Sequence, residues 1–129
     1  MLTIFILPHK KNGYVQKLVN SFVPVPLTKV RYVPVDNVAE INGYDKETEW
    51  FGVFYENEYI EEELAASLPT FFTMGDFSFL VVFKLLKEKA LFFPRFYKNK
   101  VYLNDDLSPA FNGWKFEKIL NGWVLENES

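Results

Sequence analysis

Blocks of near-continuous apolar residues alternate along the chain with amphipathic and polar stretches, and the first block is Leu2 to Leu7. A run of this kind without polar alternation is the pattern of a strand covered on both faces, which places it inside a sheet. Pro8 and His9 end it. Tyr14, Val15, Leu18, Val19 and Phe22 then recur at helical spacing, which predicts a helix with Asn12 as its N-cap. Pro24 and Pro26 stop that helix, and Thr28 to Val35 predicts a second strand closed by Pro34 and Asp36. Strand, helix and strand in this order make a right-handed crossover unit with parallel strands.

The stretch from Asp36 to Glu49 is polar and holds Asn42-Gly43, so it admits one short helix, Asn37 to Ile41. Trp50 to Tyr55 is the third apolar strand and runs into Glu56-Asn57-Glu58. A helix is expected from Ile60 to Leu68, with Glu61, Glu62 and Glu63 suiting its positive end and Pro69 following it. The later half is β-rich. Phe77 to Leu86, Leu91 to Tyr97 and Lys100 to Leu103 read as antiparallel strands, with Lys98-Asn99 turning between the last two. Asn112-Gly113 and Asn121-Gly122 are each suited to a hairpin turn, and Trp114 to Leu120 reads as a strand in preference to a short helix. The expectation is one α/β domain over residues 1–129, with a Rossmann-like sheet of parallel N-terminal strands and an antiparallel, β-rich C-terminal half.

Composition narrows the chemistry. With 14 Phe, 7 Tyr and 3 Trp in 129 residues, aromatic side chains make up 19% of the chain, enough for a large aromatic core. Trp50, Trp114, Trp123 and Tyr97 are therefore read first as core, and only then as platforms for a sugar or base. The 14 Lys and Arg against 17 Asp and Glu leave a charge of −3, which argues against a surface built to coat nucleic acid or anionic lipid. There is no Cys, so disulfides, thiolate metal sites and thiol nucleophiles are excluded. No apolar run is long enough to span a bilayer, and the N-terminus lacks the basic region and cleavage site of a secretory leader, so a cytoplasmic protein is expected.

Two polar segments carry candidate chemistry. Pro8-His9-Lys10-Lys11-Asn12-Gly13 follows strand one and precedes a helix, the place where open α/β sheets bind ligands. It lacks the glycine patterns of dinucleotide or P-loop sites, so a plain solvated basic loop is the alternative. Glu56 and Glu58, two apart at the end of strand three, would share one side of an extended chain and suit Mg²⁺ or Mn²⁺ bridging to a diphosphate. Equally, they begin an acidic helix start that complements the dipole. Arg95 stands inside the apolar run Phe92-Phe93-Pro94-Arg95-Phe96-Tyr97 and must reach solvent or a partner, for which the acidic cluster offers a carboxylate.

Taken in order, these segments resemble a shortened family 2 glycosyltransferase of the GT-A fold. Leu2 to Phe22 resembles that family's opening strand, nucleotide-side loop and first helix, and Lys29 to Asp36 its second strand. Trp50 to Leu64 (WFGVFYENEYIEEEL) is similar to the segment around the Asp-x-Asp motif, and Lys89 to Val101 (KALFFPRFYKNKV) to the later hairpin that carries an Arg. In one frame the two motif positions fall on Tyr55 and Asn57, and in a shifted frame on Glu56 and Glu58. The resemblance implies a GT-A-like domain binding a nucleotide-sugar or nucleotide diphosphate. His9, Lys10, Lys11 and Arg95 would lie on the nucleotide, Glu56 and Glu58 would hold the Mg or Mn ion, and Asp105 or Asp106 would be the base. A non-enzymatic interaction or assembly protein, viral or from a mobile element and self-associating through a sheet edge or apolar patch, is the competing expectation.

Overall fold

The computed structural model describes residues 2–9, 15–25, 29–74, 77–86, 88–110 and 117–126. Its elements run β1 (Leu2–Leu7), α1 (Val15–Ser21), β2 (Val30–Pro34), α2 (Val38–Asn42), β3 (Trp50–Tyr55), β4 (Glu58–Ile60), α3 (Glu62–Met74), β5 (Phe79–Leu86), β6 (Lys89–Lys98) and β7 (Glu117–Glu126). The strands form one sheet in the order β2-β1-β3-β6-β5-β7-β4. As expected, β1 lies between β2 and β3 and is parallel to both. β6 is antiparallel to β3 and β5, and β7 is parallel to β5 but antiparallel to β4.

The sheet cannot be flat. β3 and β4 are joined by Glu56 and Asn57 alone, yet β6, β5 and β7 lie between them in the sheet order. Four strand spacings span roughly 19 Å in a flat sheet, whereas three consecutive Cα steps reach at most about 11 Å. The strands therefore curl back until β4 meets the end of β3, and the result is a strand-rich half-barrel with few helices rather than a Rossmann-like α/β layer structure.

Both faces of the central strands are covered. Leu2, Ile4 and Ile6 of β1, Trp50 and Phe54 of β3 and Phe96 of β6 pack with Leu18 from α1, Phe22 just after it, and Leu64 and Leu68 from α3. On the other face Phe5, Leu7, Phe51, Val53 and Tyr97 pack with Val38 and Ile41 from α2 and with Val101, Leu103 and Leu107. Residues 99–110 thus lie as a strap along that second face. The aromatic excess is spent mostly here, Trp50 and Tyr97 included. Among the described residues no helix is long and apolar enough to cross a membrane.

Several expectations change. Glu58–Ile60 is a strand, because it pairs with β7 from Glu58 opposite Glu126 to Ile60 opposite Val124. The third helix begins two residues later than expected and continues through Pro69 to Met74. Pro69 forgoes one helical hydrogen bond, and the packing of Leu64, Ala65 and Leu68 with Phe71 and Phe72 against the core holds the helix on either side of it. Lys100 to Leu103 makes only an isolated bridge, Leu103 to Pro109, and the connection between the antiparallel pair β5 and β6 falls at residues 87 and 88 instead. Asn121-Gly122 does not turn a hairpin. It lies within β7, where Val81 faces Ile119 and Phe83 faces Trp123, so the pair belongs to a bulge. Asn12, Asn112-Gly113 and Trp114 lie outside the described residues.

Candidate functional site

The carboxyl ends of β1 and β3 lie side by side because the two strands are parallel and in register from Leu2 opposite Trp50 to Leu7 opposite Tyr55. His9 therefore emerges beside Glu56, and its backbone N–H donates to the Glu56 carboxylate at 3.0 Å. A cleft of about 290 Å³ opens there, lined by His9, Tyr55, Asn57, Lys84, Arg95 and Asp106, with Phe93, Leu107 and Glu126 completing it. The cleft brings His9, Arg95 and Asp106 together. Lys10 and Lys11 lie outside the described residues, and Asp105 is exposed and not part of the cleft lining.

Arg95 reaches the floor of the cleft through a backbone irregularity. Leu80 pairs with Phe96 and Val81 with Pro94, which leaves Arg95 as the extra residue of a β-bulge. A bulge bends the strand and re-aims the side chain, and Pro94 beside it has no N–H to lose from the ladder. The guanidinium is 3% exposed and forks onto Glu58, donating from Nη1 to Oε1 at 2.6 Å and from Nη2 to Oε2 at 3.0 Å. Lys84 Nζ donates to the same Oε2 and also pairs with Glu126 at 2.7 Å. One strand each thus supplies Glu58, Lys84, Arg95 and Glu126, two charges of each sign.

Glu58 is fully buried, and burial alone would push its carboxyl up; Arg95 first and Lys84 second outweigh that and hold it below the ordinary carboxylate range. The same Oε1 accepts the Tyr55 N–H at 2.7 Å. This corrects the picture of Glu56 and Glu58 side by side on one strand. They belong to a turn and to a different strand, and Glu58 already has both oxygens neutralised by cations. Among the described residues no group of three His, Asp or Glu is placed to hold a metal ion.

Donors remain unused on the cation side. Arg95 Nε is buried without a hydrogen-bond partner among the described residues. Lys84 has three ammonium protons and two carboxylate partners. Asp106 stands at the exposed rim, and the hydroxyl and N–H of Ser108 hold its carboxyl below the ordinary range, which weakens it as a general base.

The strap that carries Asp106 is fastened to β6 by Tyr97, whose hydroxyl lies 2.7 Å from the Pro94 carbonyl and 2.6 Å from the Leu107 carbonyl and shares its one proton between them. Burial pushes that phenol well above its usual range. Leu107 itself holds φ +71°, a conformation that costs a non-glycine residue roughly 1–2 kcal/mol. Tyr97→Phe is expected to lower stability by about 1–2 kcal/mol, through the unpaired carbonyls it leaves. Amide exchange at residues 104–108 should accelerate together with the drop in thermal midpoint; a variant with the wild-type midpoint would show that the hydroxyl does not hold the strap.

Lys84 and Glu126 were not singled out by the sequence, whereas Tyr55 and Asn57 are the two motif positions of one frame. Lys84 carries the same signal as Arg95, a lone cation in the apolar run Phe79-Leu80-Val81-Val82-Phe83-Lys84-Leu85-Leu86. Glu126 has no comparable signal, since a carboxylate beyond a strand is ordinary.

No protein-family model matches the chain, and no curated protein matches it in sequence. Among solved structures, the crystal structure of S. aureus TarS 1-349 is similar with probability 1.00 and a TM-score of 0.61 at 10% identity. The similarity covers 98% of this chain and 60% of that one, so the chain spans less than two thirds of the TarS structure it resembles. At that identity the likeness is one of fold alone.

Proposed function

We propose that this is a minimal GT-A-like domain, related to the family 2 transferases, whose cleft binds the diphosphate of a nucleotide-sugar or a free nucleotide diphosphate. The observation that carries the reading is the convergence of His9, Lys84 and Arg95 at the carboxyl ends of two central parallel strands, with donors on both cations still unused. Ligands of open α/β sheets bind at such strand ends. The likeness of fold to TarS supports the same choice.

The Mg²⁺ or Mn²⁺ of the family does not fit these carboxylates as they stand. An ion at Glu58 would have to displace Arg95 or Lys84, and Glu56 is engaged by the His9 N–H. In this reading Lys84 and Arg95 face the phosphates directly, a role suited to a point charge and a planar fork. Asp106, held ionised, is a poor candidate to take a proton from an acceptor, so binding is the activity proposed and turnover is not.

Calorimetry with uridine diphosphate and guanosine diphosphate tests the proposal. At least one should bind, with an affinity little altered by Mn²⁺. Lys84→Met, which leaves the Arg95–Glu58 fork in place, should weaken it about tenfold, the loss of one charge-assisted hydrogen bond. No heat with either nucleotide, with or without Mn²⁺, removes the reading.

One observation favours a second reading, that of a non-enzymatic interaction protein. On the outer face of the curl Leu85, Phe92 and Ile119 are 51%, 55% and 45% exposed and adjoin Phe83 and Trp123. Such a patch is uncommon on a monomer. Absent nucleotide binding combined with a concentration-dependent mass in sedimentation would favour it.

A further inference from the structure

A second cavity, of about 380 Å³, lies at the opposite end of β3 from the cleft. It is enclosed by the segment between α2 and β3, which gives Asn42, Tyr44 and Lys46, and by the start of the strap, which gives Asn99 to Tyr102. Six residues of strand separate the two openings, roughly 20 Å. The two are distinct sites.

The lining of this cavity inverts the charge of the chain. Among the described residues it holds two ammonium groups and no carboxylate, on a protein of net charge −3. Lys46 is 7% exposed, and its Nζ donates to the carbonyls of Ile41 at 3.0 Å and Tyr44 at 3.3 Å, which end the short helix α2. Two carbonyl acceptors leave one of its three protons without a hydrogen bond among the described residues, and the Phe51 ring lies 4.9 Å from the ammonium. No carboxylate pairs with Lys46 or Lys100 among the described residues, and the nearby acids are engaged elsewhere, Glu47 by Arg31 and Glu49 by Lys98. Asp45 is exposed, lies outside the lining and accepts from the Glu47 N–H. Burying the Lys46 ammonium is costly and pushes its pKa down, and the charge of Asp45 offsets only part of that. A bound oxyanion relieves that cost.

The remaining walls suit a ring. Tyr44 is 38% and Tyr102 62% exposed, and both line the cavity; the Tyr44 ring also meets Phe5 edge-on and lies under Arg31. Asn99 adds an exposed amide that both donates and accepts, whereas the Asn42 amide is already spent on the backbone of Leu103. Aromatic faces beside amides and cations are the chemistry that holds an acidic sugar, the ring against a phenol and the charged group against ammonium.

We propose that this cavity is a binding site for a sugar ring carrying an oxyanion, phosphate or carboxylate, independent of the nucleotide cleft. Titration of the isotope-labelled protein with glucose 6-phosphate, glucuronate, inorganic phosphate and glucose, followed by amide chemical shifts, tests it. Either glucose 6-phosphate or glucuronate should give saturable shifts confined to residues 42–46 and 99–102, and whichever binds more tightly identifies the anionic group. Glucose should give none, and inorganic phosphate should bind more weakly than the charged sugar. Lys100→Ala and Tyr102→Ala replace exposed side chains and leave the fold intact; each should weaken the charged sugar about three- to tenfold, and Tyr102→Ala should leave inorganic phosphate unchanged. Absence of saturable shifts with both charged sugars overturns the proposal, as does equal binding of glucose or indifference to both substitutions. Shifts at His9 and Tyr55 report the cleft separately, so failure at one site is not mistaken for failure at the other.

Discussion

Glu58→Ala is expected to cost the fold about 3–5 kcal/mol, because it strands the buried Arg95 and leaves Lys84 with Glu126 alone. The four charges are contributed by four strands, so removing the shared anion leaves β6 with an uncompensated buried guanidinium and β5 with an ammonium held by one carboxylate instead of two. Replacing the set together, with Glu58→Leu, Arg95→Met and Lys84→Met, should lose much less, since an apolar set of similar volume needs no partner. Urea denaturation of both variants checks this contrast; a single-variant loss below about 1 kcal/mol would place the cluster in effective contact with water. Acid makes the same point without mutation. The Glu58 carboxyl lies below its ordinary range in the fold, so its contribution is fully present above the unfolded carboxylate range and is lost as the pH falls through the lower, folded value. The wild type should therefore lose stability on acidification more steeply than the apolar triple variant.

Gly122→Ala is expected to cost about 3 kcal/mol or more, from two sources that add. Gly122 holds φ +106°, which a residue with a Cβ adopts only at roughly 1–2 kcal/mol. A Cβ there would also stand 2.7 Å from Leu64 Cβ, 2.8 Å from Leu64 N and 2.9 Å from Leu64 Cα. Two of those three atoms are helix backbone, so relief requires α3 to move off β7, and overpacking of this kind costs about 1–3 kcal/mol. Gly43→Ala is the control. Its φ is −87° and its nearest neighbour would be the Ala39 carbonyl at an ordinary 3.7 Å, so a change within about 0.5 kcal/mol is expected. If thermal unfolding moved both variants alike, the close approach of α3 to the bulge would be refuted.

The elements that depend on local pattern were legible in the sequence, and those that depend on distant pairing were not. β1 and β3 are written as apolar runs bounded by Pro8 and by the acidic turn, and their limits match the reading residue for residue. The short helix α2 announces itself through Asn37, whose side chain accepts from the Glu40 N–H as an N-cap. β4 had no such signal. Three residues holding a glutamate become a buried strand only because β7 arrives from more than sixty residues away and because Arg95 and Lys84 neutralise the charge. Pro69 misled for a related reason, since tertiary packing on both sides of it outweighs one lost hydrogen bond. Of the candidate site, the adjacency of the histidine loop and the acidic cluster follows from the strand order, and the pairing of Arg95 with a carboxylate of that cluster follows from its place in an apolar run, whereas the assignment of Glu58 to a separate strand required knowing that β3 and β4 part at a two-residue turn.

That two-residue turn also sets an order of events during synthesis. The strands β1, β2 and β3 are complete once residue 55 has left the ribosome, and each finds its parallel neighbour within that length. β4 emerges directly afterwards but has no strand to join until Glu117 to Glu126 has been translated. Such distant pairing is slow and exposes apolar surface meanwhile. A nascent chain halted before residue 117 therefore holds Glu58, Lys84 and Arg95 without the strand that closes around them, and that intermediate is the species a chaperone or protease would meet.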